Sequence, residues 1–230
     1  MLNKSAYTSD QILENYNNVK KRIMAAAETV NRSLSEITLI VVSKTYDFDS
    51  IKPLIDIGHK HFGENRVQEA DNKWAPIFDE YRDLQLHLIG HLQSNKTKRA
   101  LELFDSIHTI DSQKLLNEIQ KNIHNPNNKC RNFFIEINMA NEEQKAGIAI
   151  DQLSNFHQLL SEQNGIKCEG LMCIPPFDEE PSPYFALLNK IGRKYGFHNY
   201  SMGMSADFEK AIQFGATHIR VGSEIFGHRQ

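Results

Sequence analysis

The chain has 230 residues, 40% of them hydrophobic and 24% charged, which is the balance of a globular protein and not of a disordered or fibrous one. Lys+Arg of 26 against Asp+Glu of 29 leaves a formal net charge of -3, so no domain-wide positive field exists to hold a nucleic-acid backbone. Cys130, Cys168 and Cys173 neither close a disulfide set nor form a C-x-x-C pair, MLNKSAYTSD holds no apolar leader, and no apolar run exceeds residues 37–42; these features predict an uncleaved cytoplasmic protein without a membrane span.

Ile12, Tyr16, Val19, Ile23, Ala26, Ala27 and Val30 recur at spacings of three and four and predict an opening amphipathic helix, with Ser9 or Asp10 as its cap. ITLIVVS, residues 37–43, is a β-branched run of continuous apolar character, as in a strand buried on both faces. Further strands are expected near 61–64, 86–89, 107–110, 133–138, 168–174, 200–203 and 218–222, eight in all. Helical stretches alternate with them at 49–57, 66–79, 95–104, 112–123, 151–163, 183–195 and 205–214. Eight βα units in 230 residues fit a (β/α)8 barrel better than an open doubly wound sheet. The proline-rich stretch from Ile174 to Pro183 reads as one loop and no linker divides the chain, so residues 1–230 are expected to form a single (β/α)8 TIM barrel with an extra N-terminal helix.

Strand parity sorts the side chains. In the first strand Ile40, Val42 and Lys44 share a face. In the fifth, Phe133, Ile135 and Ile137 suit the helix layer, leaving Phe134, Glu136 and Asn138 inward; in the eighth, Ile219 and Val221 pack outward while His218, Arg220 and Gly222 face the axis. Closure pairs the first and last strands, which makes Lys44 and Arg220 neighbours at the end where barrel enzymes build their sites. A solvated terminal lysine is one reading of Lys44. The other is a carbonyl-trapping amine, since a lysine that is desolvated or set beside a cation such as Arg220 loses its proton more readily and attacks an aldehyde.

The loops after the last two strands carry SMGMSAD, residues 201–207, and RVGSEIFG, residues 220–227. Gly203 and Gly222 allow backbone N–H groups close to an anion, and Ser205 is placed to cap the following helix; tight turns alone would also explain the glycines. Asp207 and Glu209 fall in the first turn of that helix and compete for its dipole, so a phosphate is expected to rest on the loops. An inward lysine, an inward arginine and two glycine–serine loops suit a ligand with an aldehyde, a ring and a phosphate. Pyridoxal 5'-phosphate (PLP) has all three, and a sugar-phosphate aldolase would use similar parts.

VSKT at 42–45, FGENRVQE at 62–69, HLIGHLQSNK at 87–96, GLMCIP at 170–175, SMGMSAD at 201–207 and RVGSEIFG at 220–227 resemble, in order and over almost the whole chain, the pyridoxal phosphate homeostasis protein family. The resemblance implies a monomeric barrel similar to the N-terminal domain of alanine racemase. It implies an internal Schiff base on Lys44, Arg220 facing the pyridine nitrogen, and Asn65 beside the cofactor. Ser201, Gly203 and Ser205, with Gly222 and Ser223, match the phosphate loops. It further implies cofactor buffering without established turnover and transfer to PLP-dependent apo-enzymes. An always-protonated arginine makes the ring a poor electron sink, which weighs against a quinonoid route. Racemases take a second acid/base from another domain, for which no residues remain before Gln230. A racemase-like enzyme acting on amino acids is the first alternative. A metal-dependent hydrolase built on His59-x-His61 and His87-x3-His91 is the second, and it is disfavoured because His59 and His61 precede the second strand and an extended strand holds His87 and His91 roughly 13 Å apart. The cluster Lys96, Lys98 and Arg99 reads as a solvated helix face. Lys145 in EEQKAG fits a family pattern and is expected to be a loop lysine.

Overall fold

A computed structural model gives the structure for residues 4–142 and 144–227; the first three positions of the opening segment, Glu143 of EEQKAG and the last three residues lie outside the described part. Nine parallel strands form one sheet: β1 (Thr38–Val42), β2 (His61–Glu64), β3 (Gln85–Leu88), β4 (Ser106–Ile110), β5 (Asn132–Asn138), β6 (Ile148–Ala149), β7 (Cys168–Met172), β8 (Asn199–Met204) and β9 (His218–Val221). Pairing of β1 with β9 and of β4 with β5 closes eight of them into a barrel, with β6 as a two-residue addition beside β5. The eight predicted strands are therefore the barrel. A two-residue strand has no period to read, and β6 was invisible in the sequence for that reason.

The helices alternate as expected, α1 (Ser9–Glu28) before the barrel, then α2 (Phe48–Asp56), α3 (Val67–Trp74), α4 (Thr97–Leu103), α5 (Gln113–Asn122), α6 (Leu153–Ser161), α7 (Ser182–Lys194) and α8 (Phe208–Gln213), and the four-residue α9 (Ser223–Phe226), which was not expected, follows β9. The cap of α1 is Thr8, not Ser9 or Asp10. Its hydroxyl accepts from the Gln11 N–H while the Gln11 side chain accepts from the Thr8 N–H, a reciprocal box that only the Thr8/Gln11 spacing allows. The stretch 66–79 breaks after Trp74 into a 3-10 turn over Ala75–Ile77, where Pro76 removes a donor.

Alternation along the strands builds two compartments. Val41, Phe133, Ile135, Ile137, Ile219 and Val221 point outward and join the apolar layer under the helices, where Phe62 and Trp74 meet at 5.2 Å. Ile40, Phe134, His87, His108 and His218 fill the lumen, with the His108 ring stacked on Phe134 at 4.3 Å. Helix α1 packs across α8 and α9, fastened by Asn15 donating to the Ile225 carbonyl and by Arg22 bridging Glu209 and Glu224. Among the described residues no helix is long and apolar enough to cross a membrane.

Candidate functional site

The β1 ladder persists to Ser43, whose N–H donates to the Gly63 carbonyl at 3.0 Å, and then the chain leaves the sheet at Lys44. Thr45 turns it with φ of 69°, a conformation costly for a β-branched residue. Lys44 thereby reaches the rim of a cavity of about 390 Å³ at the C-terminal ends of the strands. The same cavity takes Asn65 after β2, Ser205 after β8, and Arg220, Gly222 and Ser223 from β9 and the segment that follows it, with Val42, Ile89, Ile174 and Met204 as apolar wall. A larger groove of about 740 Å³ lies near Arg32, His198 and Thr217, by the strand N-terminal ends, and it gathers none of the predicted site residues.

Lys44 and Arg220 share the cavity, but at different depths. Arg220 is level with Ile40 in the β1–β9 register, four residues before Lys44, or roughly 13 Å along an extended strand. The guanidinium is the floor. It is 3% exposed and is fixed by Nη1 donating to Ser201 Oγ at 2.7 Å and Nη2 donating to the Cys173 carbonyl at 3.0 Å. Burial pulls its pKa below the usual arginine value, while Cys173, Glu136 and Asp207 favour the charge.

Six of the eight residues singled out from sequence line the cavity, and the other two stand behind it. Ser201 is fully buried beneath Arg220. Gly203, with φ of 89°, faces α8, where a Cβ would stand 2.5 Å from Ala211 Cβ and 3.0 Å from Phe208 Cα; here the tight-turn and packing reading of the glycine applies. Ser205 does not cap α8. Its hydroxyl accepts from the Gly222 N–H at 3.3 Å and so joins the two loops, and Asp207 takes the cap position with its carboxylate turned back to the Met204 N–H. Tyr46 forms part of the rim, its hydroxyl donating to the Gly227 carbonyl and its ring on Phe226. Lys145 lies on a loop and pairs with Glu142 at 2.7 Å.

Sequence reasoning overlooked a polar column beneath Arg220. His61 Nδ1 meets His87 Nε2 at 3.1 Å, His87 Nδ1 meets His108 Nε2 at 3.0 Å, and His108 Nδ1 meets Ser201 Oγ at 2.8 Å. Arg220 can only donate, so Ser201 accepts from it; with the serine hydrogen given to His108, His108 and His87 are Nε2–H tautomers and each hands its proton on toward the N-terminal end of the barrel. Burial holds His87 and His108 well below the usual imidazole range. The parity of β2, β3 and β4 places these rings inward, which was the available signal. It was masked because His59, His61, His87 and His91 were read against metal spacing, and among the described residues no group of three or more potential ligands comes together. Glu136, expected to face inward, is buried and pushed up to about 7, by burial first and then by Asp111.

The sequence matches the family of the alanine racemase N-terminal domain over residues 9–230. A curated protein of Aquifex aeolicus named pyridoxal phosphate homeostasis protein is 38% identical over 226 residues, 94% of this chain and 98% of that one. The chain belongs to the pyridoxal phosphate homeostasis protein family. PipY of Synechococcus elongatus, solved with PLP bound, superposes with a TM-score of 0.77 at 32% identity, over 90% of this chain and all of that one. Alanine racemase of Corynebacterium glutamicum superposes with a TM-score of 0.69 at 13% identity, over 96% of this chain and 61% of the racemase, which extends the likeness of fold alone.

Proposed function

We propose that this protein binds PLP in the cavity at the strand C-terminal ends and holds it as a reserve for PLP-dependent apo-enzymes, as a cytoplasmic monomer and without a turnover of its own. The observation that carries the proposal is the joining of Lys44 at the rim with a buried, doubly anchored Arg220 at the floor of one cavity. The residues fit the group: Lys44 for the aldehyde carbon, Arg220 for the pyridine nitrogen, Asn65 beside the ring, and Ser205, Gly222 and Ser223 for the phosphate. Bound PLP would supply an electrophilic aldehyde, and Lys44 is the amine placed to take it as a Schiff base with loss of water. Gly222 offers its N–H to Ser205 in this structure, so a phosphate there exchanges one acceptor for another and leaves the serine hydroxyl free to donate.

The floor residue weighs against a quinonoid route. Arg220 donates to Ser201 and to the Cys173 carbonyl and keeps its charge at neutral pH, so it would hold a ring nitrogen by hydrogen bonding without passing it a proton. Ser201 acts one step back, holding the guanidinium in place. Titration with PLP should produce a visible absorption band that saturates at one equivalent, and incubation of the loaded protein with the common amino acids should give no product above that of free PLP. Turnover at an ordinary enzyme rate, on the order of 1 per second or faster, would replace the reserve reading with a racemase-like one.

A further inference from the structure

Lys44 leaves the barrel where the sheet can no longer supply hydrogen-bond partners, and buried backbone groups left in that position must find others. Both peptide units that flank it are met by one helix. The Ser43 carbonyl accepts from Lys73 Nζ at 2.7 Å, and the Thr45 N–H donates to Glu69 Oε1. Glu69 and Lys73 lie four apart on α3, so their side chains rise from the same face of the helix and reach the chain on either side of Lys44.

Lys73 is itself held at 2.8 Å from Glu64 Oε1, with both side chains 0% exposed. That oxygen also accepts from Ser43 Oγ at 2.7 Å and from Trp74 Nε1 at 3.0 Å, while Glu64 Oε2 is buried without a partner. A buried ion pair with an unmet oxygen is a poor way to stabilise a core, because apolar residues of similar volume usually do as well or better. What the pair does accomplish is directional: it delivers an ammonium to one particular carbonyl, next to a residue in a strained backbone conformation.

We infer that Glu69 and Lys73, with Glu64 behind them, are positioning residues that clamp the two peptide units around Lys44 and so aim its amine into the cavity. The inference rests on the reading of Lys44 as the group that takes the aldehyde. Loosening the clamp leaves the phosphate loops and Arg220 intact but lets the lysine stem sample directions that miss the aldehyde, so covalent capture slows while non-covalent binding does not change.

The test uses the full chain and PLP itself, with capture followed by the visible band and by borohydride-fixed cofactor on Lys44. Glu69→Ala should slow capture about tenfold, the scale of one backbone hydrogen bond lost at a site that must stay ordered, and Glu69→Gln, which keeps the accepting oxygen, should restore it to within about twofold. Lys73→Met paired with Glu64→Gln removes both buried charges together and should slow capture in the same direction. In a Lys44→Ala background, Glu69→Ala should leave PLP affinity where it was. Capture at the wild-type rate in Glu69→Ala overturns the clamp, as does equal slowing in Glu69→Gln. If the double variant does not fold, the two Glu69 variants decide alone. If the wild-type chain fixes no cofactor on Lys44, the underlying reading fails first and the clamp with it.

Discussion

Lys44→Ala should abolish the visible band and the borohydride-stable product while leaving a folded protein that still binds PLP about a hundredfold more weakly. The side chain is half-buried at the cavity rim, beyond the last ladder bond of β1, so its truncation opens no hole in the apolar layer, and stability without ligand should change by no more than about 0.5 kcal/mol. The grip on the phosphate and ring survives because Arg220 belongs to β9, and Ser205, Gly222 and Ser223 follow β8 and β9 and not β1. The loss is read most simply in melting curves with and without cofactor. A ligand at one hundred times its dissociation constant adds about 2.7 kcal/mol, and the same concentration acting on a hundredfold weaker site adds about 0.4 kcal/mol. The PLP-dependent rise in melting temperature should therefore nearly vanish in the variant. A retained band would place the covalent bond on another amine.

The second large effect is acid instability. Burial, before any other cause, lowers His59 and His218 from 6.5 to about 4, and it lowers His87 and His108 as well. A neutral ring in the folded state and a protonated one in the unfolded state means that stability is present above pH 6.5 and is lost as pH falls through about 4. At pH 5, His59 and His218 together cost about 4 kcal/mol relative to neutral pH, and His87 and His108 act in the same direction. Glu136 works the other way. Raised from 4.5 to about 7, it favours folding at low pH and loses that contribution as pH rises through 7, so it returns about 2 kcal/mol between pH 7 and pH 5. Four rings outweigh one carboxyl, and urea midpoints should fall steeply from pH 7 to pH 5, with net proton uptake on unfolding. Equal stability at the two pH values would contradict the assignment of buried, neutral rings to His59 and His218.

Much of this architecture was legible in the residue order because both of its periods are strong. Continuous apolar runs marked the strands and the alternation in β5 and β9 sorted Phe134, His218 and Arg220 inward, as the lumen and cavity confirm. Depth was not legible. Parity says which face a side chain takes but not how far β9 slides along β1, and that register sets Arg220 at the floor and Lys44 at the rim. Nor did parity distinguish Ser201 and Gly203, which stand behind the cavity, from Ser205, which lines it, because the irregular pairing of β8 with β9 between Ser201 and Met204 changes what each position faces. The clamp and the histidine column escaped for a related reason: each joins residues from different elements that meet only in the folded chain, such as Ser43 with Lys73 and His108 with Ser201.

Reduction of the PLP-loaded wild-type chain with borohydride, followed by digestion and peptide mass mapping, tests the central claim most directly. The account predicts one phosphopyridoxyl group per chain, on the peptide that carries Lys44. Label spread over surface lysines, or confined to any residue other than Lys44, would contradict it.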